Sequence, residues 1–245
     1  VGMIGGRLRQ SLSALTRRFG ATKARQLLSE TRSAYDWFLD FVANERIDCD
    51  LRQSGRLICA WTPKDMIALQ QQCKTLATFD IRSEIIRQQE LAAHIRSSLY
   101  QGALLLPDDG GLHPAQFHQG LVSRAQENGA ILIDDTPVLD IARAGSTFTV
   151  TTTRGKLKAK KVVLATNAYT GPEFSWFRRR IIPVGSHMMA TETLDRELID
   201  TLLPSEALVN DTRSLAYAIR KSPDGTRILV GGRALSRNRA DAPSV

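Results

Sequence analysis

The sequence predicts a mixed α/β (α+β) fold, and three stretches predict it. Val162-Val163-Leu164 reads as a short buried parallel strand, closed abruptly by the small polar run Ala165-Thr166-Asn167-Ala168. From His113 onward a helix, a strand and a small antiparallel insert follow in βαβ-like order. The last third is strand-rich and punctuated by turns, as in an antiparallel sheet. In open α/β sheets a ligand sits beyond the carboxyl ends of strands, where small residues let a bulky group approach the backbone.

Taken in order, Val1-Gly2-Met3-Ile4-Gly5-Gly6 brings three glycines together at the start. Leu12, Leu15 and Phe19 mark a first short helix, which Gly20 breaks. Ala24, Leu27, Leu28, Tyr35, Phe38, Leu39 and Val42 keep helical spacing over residues 22–44. Residues 55–61 read as a strand, Thr62-Pro63 as a helix start and 64–77 as the helix. A short strand over 82–86, a helical turn over 89–95 and a strand over 102–106 follow, closed by the turn Pro107-Asp108-Asp109-Gly110-Gly111. Pro114 starts a helix that stops at Gly129. Strands are then predicted over 131–133, 138–141, 148–152 and 158–164, with Arg154-Gly155 turning a hairpin. Further strands are expected over 181–190, 208–211, 214–220 and 227–231, with a helix over 195–203 and a turn at Ser222-Pro223-Asp224-Gly225.

With 245 residues, 42% hydrophobic and 24% charged, the chain is long enough for one large domain or two small ones around a sizeable core. The net charge is +8, but the basic residues are dispersed. The densest cluster, Arg178-Arg179-Arg180, runs straight into the strand-like Ile181-Ile182-Pro183-Val184, with few aromatics interleaved. That argues against nucleic acid and for a solvated basic surface or attraction to an anionic small molecule. No segment is apolar enough to span a membrane, and no signal peptide opens the chain. Cys49, Cys59 and Cys73 are odd in number and form neither a metal pattern nor a disulfide framework, which fits reduced thiols in a cytoplasmic protein. His113 and His118 are five apart and share no helix face, so no metal site is expected.

Several segments together resemble a known family. They are Gly5-Gly6 before Ser11-Leu12 and Phe19-Gly20; Ile47-Asp48-Cys49-Asp50 before a Gly-Arg-Leu strand; Gly111-Leu112-His113-Pro114; and Ala165-Thr166-Asn167-Ala168. Ile182-Pro183-Val184-Gly185-Ser186, Ala190-Thr191-Glu192, and Ser222-Pro223-Asp224-Gly225 before Val230-Gly231-Gly232-Arg233 complete the series. In this order they resemble the FAD-dependent oxidoreductases of the D-amino-acid-oxidase superfamily, in particular the gamma-glutamylputrescine oxidoreductase-like enzymes. The resemblance implies an FAD-binding fold of the glutathione-reductase type with an antiparallel-sheet substrate domain. It also implies FAD as cofactor and a small-molecule amine or amino acid as substrate. Residues 1–48 and 99–176 are expected to form the FAD-binding part, and 49–98 and 177–245 the substrate part. The family's GxGxxG phosphate turn does not occur here, and the sequence stops at Ser244-Val245 soon after its last strand. The fold is therefore expected to be incomplete, an internal piece of a longer enzyme. The rival expectation is a non-catalytic fragment that folds, or binds a partner, without flavin.

Site residues follow from the same resemblance. Met3, Ile4, Gly5 and Gly6 fall where a flavin-facing loop is expected, and their smallness permits close approach. Val138 belongs to a strand whose backbone passes the adenine, while its side chain also suits a core. Ala165, Thr166 and Asn167 are expected to approach the pyrophosphate or the flavin edge through backbone. Tyr217 and Arg220 are the catalytic candidates: Tyr217 to line the flavin face or pack in the core, Arg220 to hold a substrate carboxylate or to sit exposed beside Asp224. Three apart on one regular strand, they point to opposite faces. His187 beside Ser186 lacks an acidic orienter, so nucleophilic catalysis is not expected.

Overall fold

A computed structural model of the chain describes residues 2–8, 10, 12–183, 185–214 and 216–235, the last three by backbone alone. Ser11, Val184, the Arg233 side chain and Ser244-Val245, which enter the sequence reading, lie outside the described residues. The backbone forms two compact units, residues 1–125 with 187–233, and residues 126–186 with 234–245.

The elements in chain order are β1 (Met3–Ile4), α1 (Leu12–Asn44), β2 (Arg56–Cys59), α2 (Pro63–Ala77), β3 (Glu84–Arg87), β4 (Gly102–Leu106), β5 (Gly110–Gly111) and α3 (Pro114–Glu127). They continue with β6 (Val138–Ala144), β7 (Thr147–Thr152), β8 (Gly155–Ala159), α4 (Ser175–Arg178), β9 (Gly185–Ala190), α5 (Arg196–Leu202), β10 (Leu208–Asp211), β11 (Ala218–Lys221) and β12 (Ile228–Leu235). A 3-10 turn, Gln88–Ala93, separates β3 from β4. Two local signals work as the sequence implies. Gly20 adopts φ 79° and breaks α1, a conformation L side chains avoid. At the start of α2, the Thr62 hydroxyl accepts from Asp65 N at 3.2 Å and the Asp65 carboxylate accepts from Thr62 N at 2.9 Å. That capping box satisfies backbone donors the helix itself cannot.

The main sheet has seven strands in the order β3-β4-β2-β10-β11-β12-β9. β2 and β10 pair in parallel, Arg56 opposite Leu208 through Cys59 opposite Asp211, whereas β3–β4, β4–β2, β10–β11 and β11–β12 are antiparallel. Alternation along β2 sorts its side chains. Leu57 and Cys59 point into a core with Leu91, Tyr100 and Val209. The opposite face, through Leu104 and Leu106 of β4, meets Leu15, Leu28, Leu69 and Leu76 of α1 and α2. A third cluster joins Val42, Ile47, Cys49 and Leu112.

In the second unit, β6, β7 and β8 form an antiparallel meander with a register shift between Val138 and Asp140. Here the structure corrects several expectations. Residues 131–133 and 161–164 form no strands, and β8 ends at Ala159. Ile131 and Val163 are 86% and 87% exposed. A strand exists through its ladder of backbone partners, and among the described residues no strand lies beside either run. The expected strand over 181–190 begins only at Gly185. The N–H groups of Arg180 and Ile181 instead close a helical turn onto Phe177 and Arg178, and Pro183 has no N–H to give. The strand expected from Ser214 begins at Ala218, because the Asp211 carboxylate gathers the N–H groups of Arg213 and Tyr217 into a loop. Tyr217 thus precedes β11 instead of sharing it with Arg220.

Burial pushes the Cys59 thiol up to about 12, with Asp211 adding to the effect, and does the same for the Tyr100 phenol. The folded chain holds these protons more tightly than the unfolded one. Their contribution is therefore complete below pH 9 and is lost as pH rises toward about 12, by up to about 1.4 kcal/mol per pH unit for each group. Urea unfolding across that range is expected to show this alkaline loss, and Cys59→Ala to flatten it; identical alkaline slopes in both proteins would contradict the burial of this thiol. Leu104→Ala, at a fully buried position between β3 and β2, is expected to cost about 2–5 kcal/mol in the same measurement.

Candidate cofactor and substrate site

The first group of candidates lies on a ribbon built from glycines. β1 pairs antiparallel with β5, Met3 opposite Gly111 and Ile4 opposite Gly110. On its other side Gly111 exchanges two backbone hydrogen bonds with Arg52, each 2.9 Å. Side chains have no room here. A Cβ on Gly110 would strike the Arg52 carbonyl, and one on Gly5 would stand 2.5 Å from an Asp109 carboxylate oxygen. Gly110 is thus required by close backbone approach before any ligand is considered, whereas Gly5 is crowded by the Asp109 side chain and Gly111 by that of Leu208.

Arg220 is tied to this ribbon. Its guanidinium donates to the Leu112 carbonyl at 2.9 Å, and the Leu112 N–H donates to the Gly2 carbonyl at 2.9 Å. It also lies 3.7 Å from Asp50, whose other oxygen accepts from Arg52 at 2.7 Å. Burial lowers the Arg220 pKa, with Asp50 opposing that shift and Arg52 adding to it. The void beside Arg220, between Arg52, Glu206 and Lys221, measures only about 20 Å³. Tyr217 belongs to a different cluster. The Arg213 guanidinium lies 4.5 Å from the Tyr217 ring and 4.1 Å from the Trp61 ring, and is paired with the buried Asp211.

The remaining candidates are in the second unit. Val138 opens β6 opposite Thr152 and is half-buried. Ala165, Thr166 and Asn167 are exposed. Asn167 takes φ 47°, and its carbonyl accepts from both the backbone N–H (3.3 Å) and the hydroxyl (2.7 Å) of Thr170. The loop is therefore held from within, and its small residues leave the backbone open to a flat group. These features fit the ring side of a dinucleotide; a GxGxxG turn for its phosphates is not in this sequence.

Sequence reasoning missed three residues that the structure brings together. Arg7 Nη2 donates to Asp109 Oδ2 at 2.8 Å, and Arg56 Nη1 stands 3.9 Å from the same oxygen. Arg56 also donates to the Asn210 side chain at 2.6 Å. They border a cavity of about 430 Å³ lined also by Gly5, Leu8, Ile58 and Gln72. A larger cavity of about 630 Å³ is lined by Arg25, Arg32, Tyr35, Arg82 and Asp108. There Arg32 and Arg82 both pair with Asp108, and Arg25 lies over Phe79. One signal for the first cluster was present: Arg56 alternates with the apolar Leu57 and Cys59 on a strand, so one face of β2 carries a cation. Among the described residues no group of His, Cys, Asp and Glu could hold a metal, and no helix is long and apolar enough to cross a membrane.

Comparison with known proteins decides the family. The family model described as FAD dependent oxidoreductase matches residues 2–245. The chain belongs to that family. It is 28% identical over 240 residues to gamma-glutamylputrescine oxidoreductase of Escherichia coli, covering 94% of this chain and 55% of that protein. To a probable oxidoreductase of Haemophilus influenzae it is 24% identical over 227 residues, 91% of this chain and 52% of the other. In fold it is similar to glycine oxidase from Geobacillus kaustophilus, with a TM-score of 0.68, 20% identity, and coverage of 96% of this chain and 60% of that one. For L-proline dehydrogenase from P. horikoshii the TM-score is 0.67 at 16% identity, with 98% and 60% coverage. The chain thus spans about half the length of the curated relatives it matches, and the fold of this FAD-dependent family is present in part.

The bonds of Arg220 carry a prediction. Arg220→Met removes the donor to the Leu112 carbonyl and leaves Asp50 with Arg52 as its cationic partner, and is expected to lower unfolding free energy by about 1–3 kcal/mol with no ligand present. An arginine that only awaits a substrate would leave denaturant midpoints unchanged.

Proposed function

We propose that this chain is part of an FAD-dependent enzyme that oxidises the C–N bond of an amine or amino acid. The observation that carries the reading is the family match along residues 2–245; the amine- and amino-acid-related names of the relatives and fold neighbours support the substrate class. When bound, FAD supplies the acceptor for a hydride from the carbon next to nitrogen, leaving an imine that water hydrolyses. The protein's work is then to bind, orient and exclude water.

In this reading residues 1–48 and 99–176 hold the cofactor, and 49–98 with 177–245 hold the substrate. Met3–Gly6 provide a strand end and the two glycines after it for the ring, Val138 a backbone contact for the adenine, and Ala165, Thr166 and Asn167 the open loop for the ring edge or phosphates. Arg220 acts as a positioning residue: through Leu112 it holds the carbonyl side of Gly2, and so the strand that follows. The Tyr217 ring, half-buried and held beside Arg213, is assigned to the substrate side.

Purified as its open reading frame encodes it, the protein is expected to show flavin absorption bands, supplied by co-purified or added FAD. Anaerobic addition of an amine or amino acid is expected to bleach them. A protein that stays colourless after FAD is added, or a bound flavin that no amine reduces, overturns the proposal.

A further inference from the structure

The first unit brackets many of its arginines with aspartates; the second carries three that have none. Residues 126–186 hold nine Lys and Arg against five Asp and Glu, and Arg178, Arg179 and Arg180 stand consecutively among them. Among the described residues, none of these three lies in an ion pair with an acid. Arg180 turns back on its own loop. Its guanidinium stands 3.7 Å from the centre of the Trp176 ring and donates to the Trp176 carbonyl at 2.7 Å. Trp176 in turn meets Phe177 edge-on, ring centroids 4.8 Å apart. The backbone here is satisfied from within, the Arg179 N–H donating to the Ser175 carbonyl at 3.1 Å and the Arg180 N–H to Phe177 at 2.8 Å. A self-closed turn therefore holds Trp176 and Phe177 out at the surface, where both are exposed. Ile182 follows, 86% exposed. Pro172, Ile181, Ile182 and Pro183 line a groove of about 520 Å³ together with Arg178 and Arg179. Apolar side chains gain by leaving water, and a patch of them rimmed by charge marks a contact surface. Its occupant has to cover tryptophan and isoleucine and neutralise arginines at once. A nucleic acid meets the charge and can stack on Trp176, but offers nothing to Ile181 and Ile182. The face of a bilayer answers all three, since indole rings settle at headgroup level, isoleucines enter the acyl boundary and guanidiniums bind the anionic groups above it.

We propose that residues 172–183 form a docking surface for an anionic phospholipid membrane, with Arg178 and Arg179 on the headgroups and Trp176, Phe177 and Ile182 entering the interfacial layer. Arg180 is a positioning residue that fixes the Trp176 ring. The contact is peripheral: one loop rests on the surface and nothing crosses it. A neutral bilayer engages only the apolar side chains, so binding follows the content of anionic lipid and fades with salt. The assignment is independent of the oxidase reading.

The test is co-sedimentation of the protein, purified as its open reading frame encodes it, with lipid vesicles. Vesicles of phosphatidylcholine with about one third phosphatidylglycerol are expected to bind it at least about tenfold more tightly than phosphatidylcholine alone. Sodium chloride at about 0.5 M is expected to release most of it. Replacing both Arg178→Gln and Arg179→Gln is expected to weaken binding to the anionic vesicles by about tenfold or more. The pair Arg178→Lys and Arg179→Lys keeps the charge, guards against a folding failure and is expected to stay within about threefold of wild type. The pair Lys64→Gln and Lys74→Gln on α2 lowers net charge equally and is expected to leave binding unchanged. Tryptophan emission is expected to shift to the blue on binding, and Trp176→Phe to lose that shift although Trp37 and Trp61 remain. Five outcomes overturn the proposal: neutral vesicles bound as tightly as anionic ones, equal weakening by the α2 pair, loss of binding in the Arg-to-Lys pair, a full emission shift in Trp176→Phe, or a single-stranded oligonucleotide that strips the protein from the vesicles. No amine, FAD or turnover is involved, so a failure here is separate from a failure of the oxidase reading.

Discussion

The parallel pairing of β2 with β10 is the constraint on which the first unit depends. It brings residues 56–59 against 208–211 and places Leu57, Cys59 and Val209 where water does not reach. Because a strand's side chains alternate, burying Leu57 and Cys59 fixes Arg56 and Ile58 on the other face. A register slip of one residue would put the arginine into the apolar core, at a large desolvation cost. The hydrophobic face therefore dictates the position of the cation. β4 completes the arrangement from the opposite edge of β2, and its continuation through the 107–109 turn delivers Asp109 to Arg7 and Arg56.

Much of this was legible locally and little of it at long range. Gly20, the Thr62-Pro63 start of α2 and the Ser222–Gly225 turn each carry their own instruction, and each appears where the residues imply. Ile131-Leu132-Ile133 and Val162-Val163-Leu164 carry an equally good strand pattern, yet remain outside any sheet. β-branched runs state a preference; pairing requires a neighbour, and the run itself does not encode one. For the same reason the Arg7–Asp109–Arg56 cluster was out of reach, since its members are up to 102 residues apart and linked only through folding. A scattered charge on a strand and another in a glycine-rich opening look alike on paper whether or not they meet.

The way the chain spends its positive charge explains why a basic protein need not present a basic face. Among the described residues, three aspartates each face two arginines: Asp109 with Arg7 and Arg56, Asp108 with Arg32 and Arg82, Asp50 with Arg52 and Arg220. Around Asp109 and Asp50 the arginines Arg7, Arg56 and Arg220 are part-buried, where the local dielectric strengthens their field compared with open surface, whereas around Asp108 Arg82 is exposed and Arg32 is shared with Asp36. The three trios differ in what remains to be satisfied. Around Asp108 two arginines are in contact with the acid and a third, Arg25, rests on an aromatic ring and a backbone carbonyl. At Asp50 the second arginine is committed to the Leu112 carbonyl as well. Among the described residues, a buried guanidinium nitrogen stays unmatched at Asp109 alone of the three, beside a cavity and the glycines of the opening segment. Net charge read from composition cannot separate these cases, because what distinguishes a structural bracket from a binding site is the last unsatisfied donor and not the number of arginines.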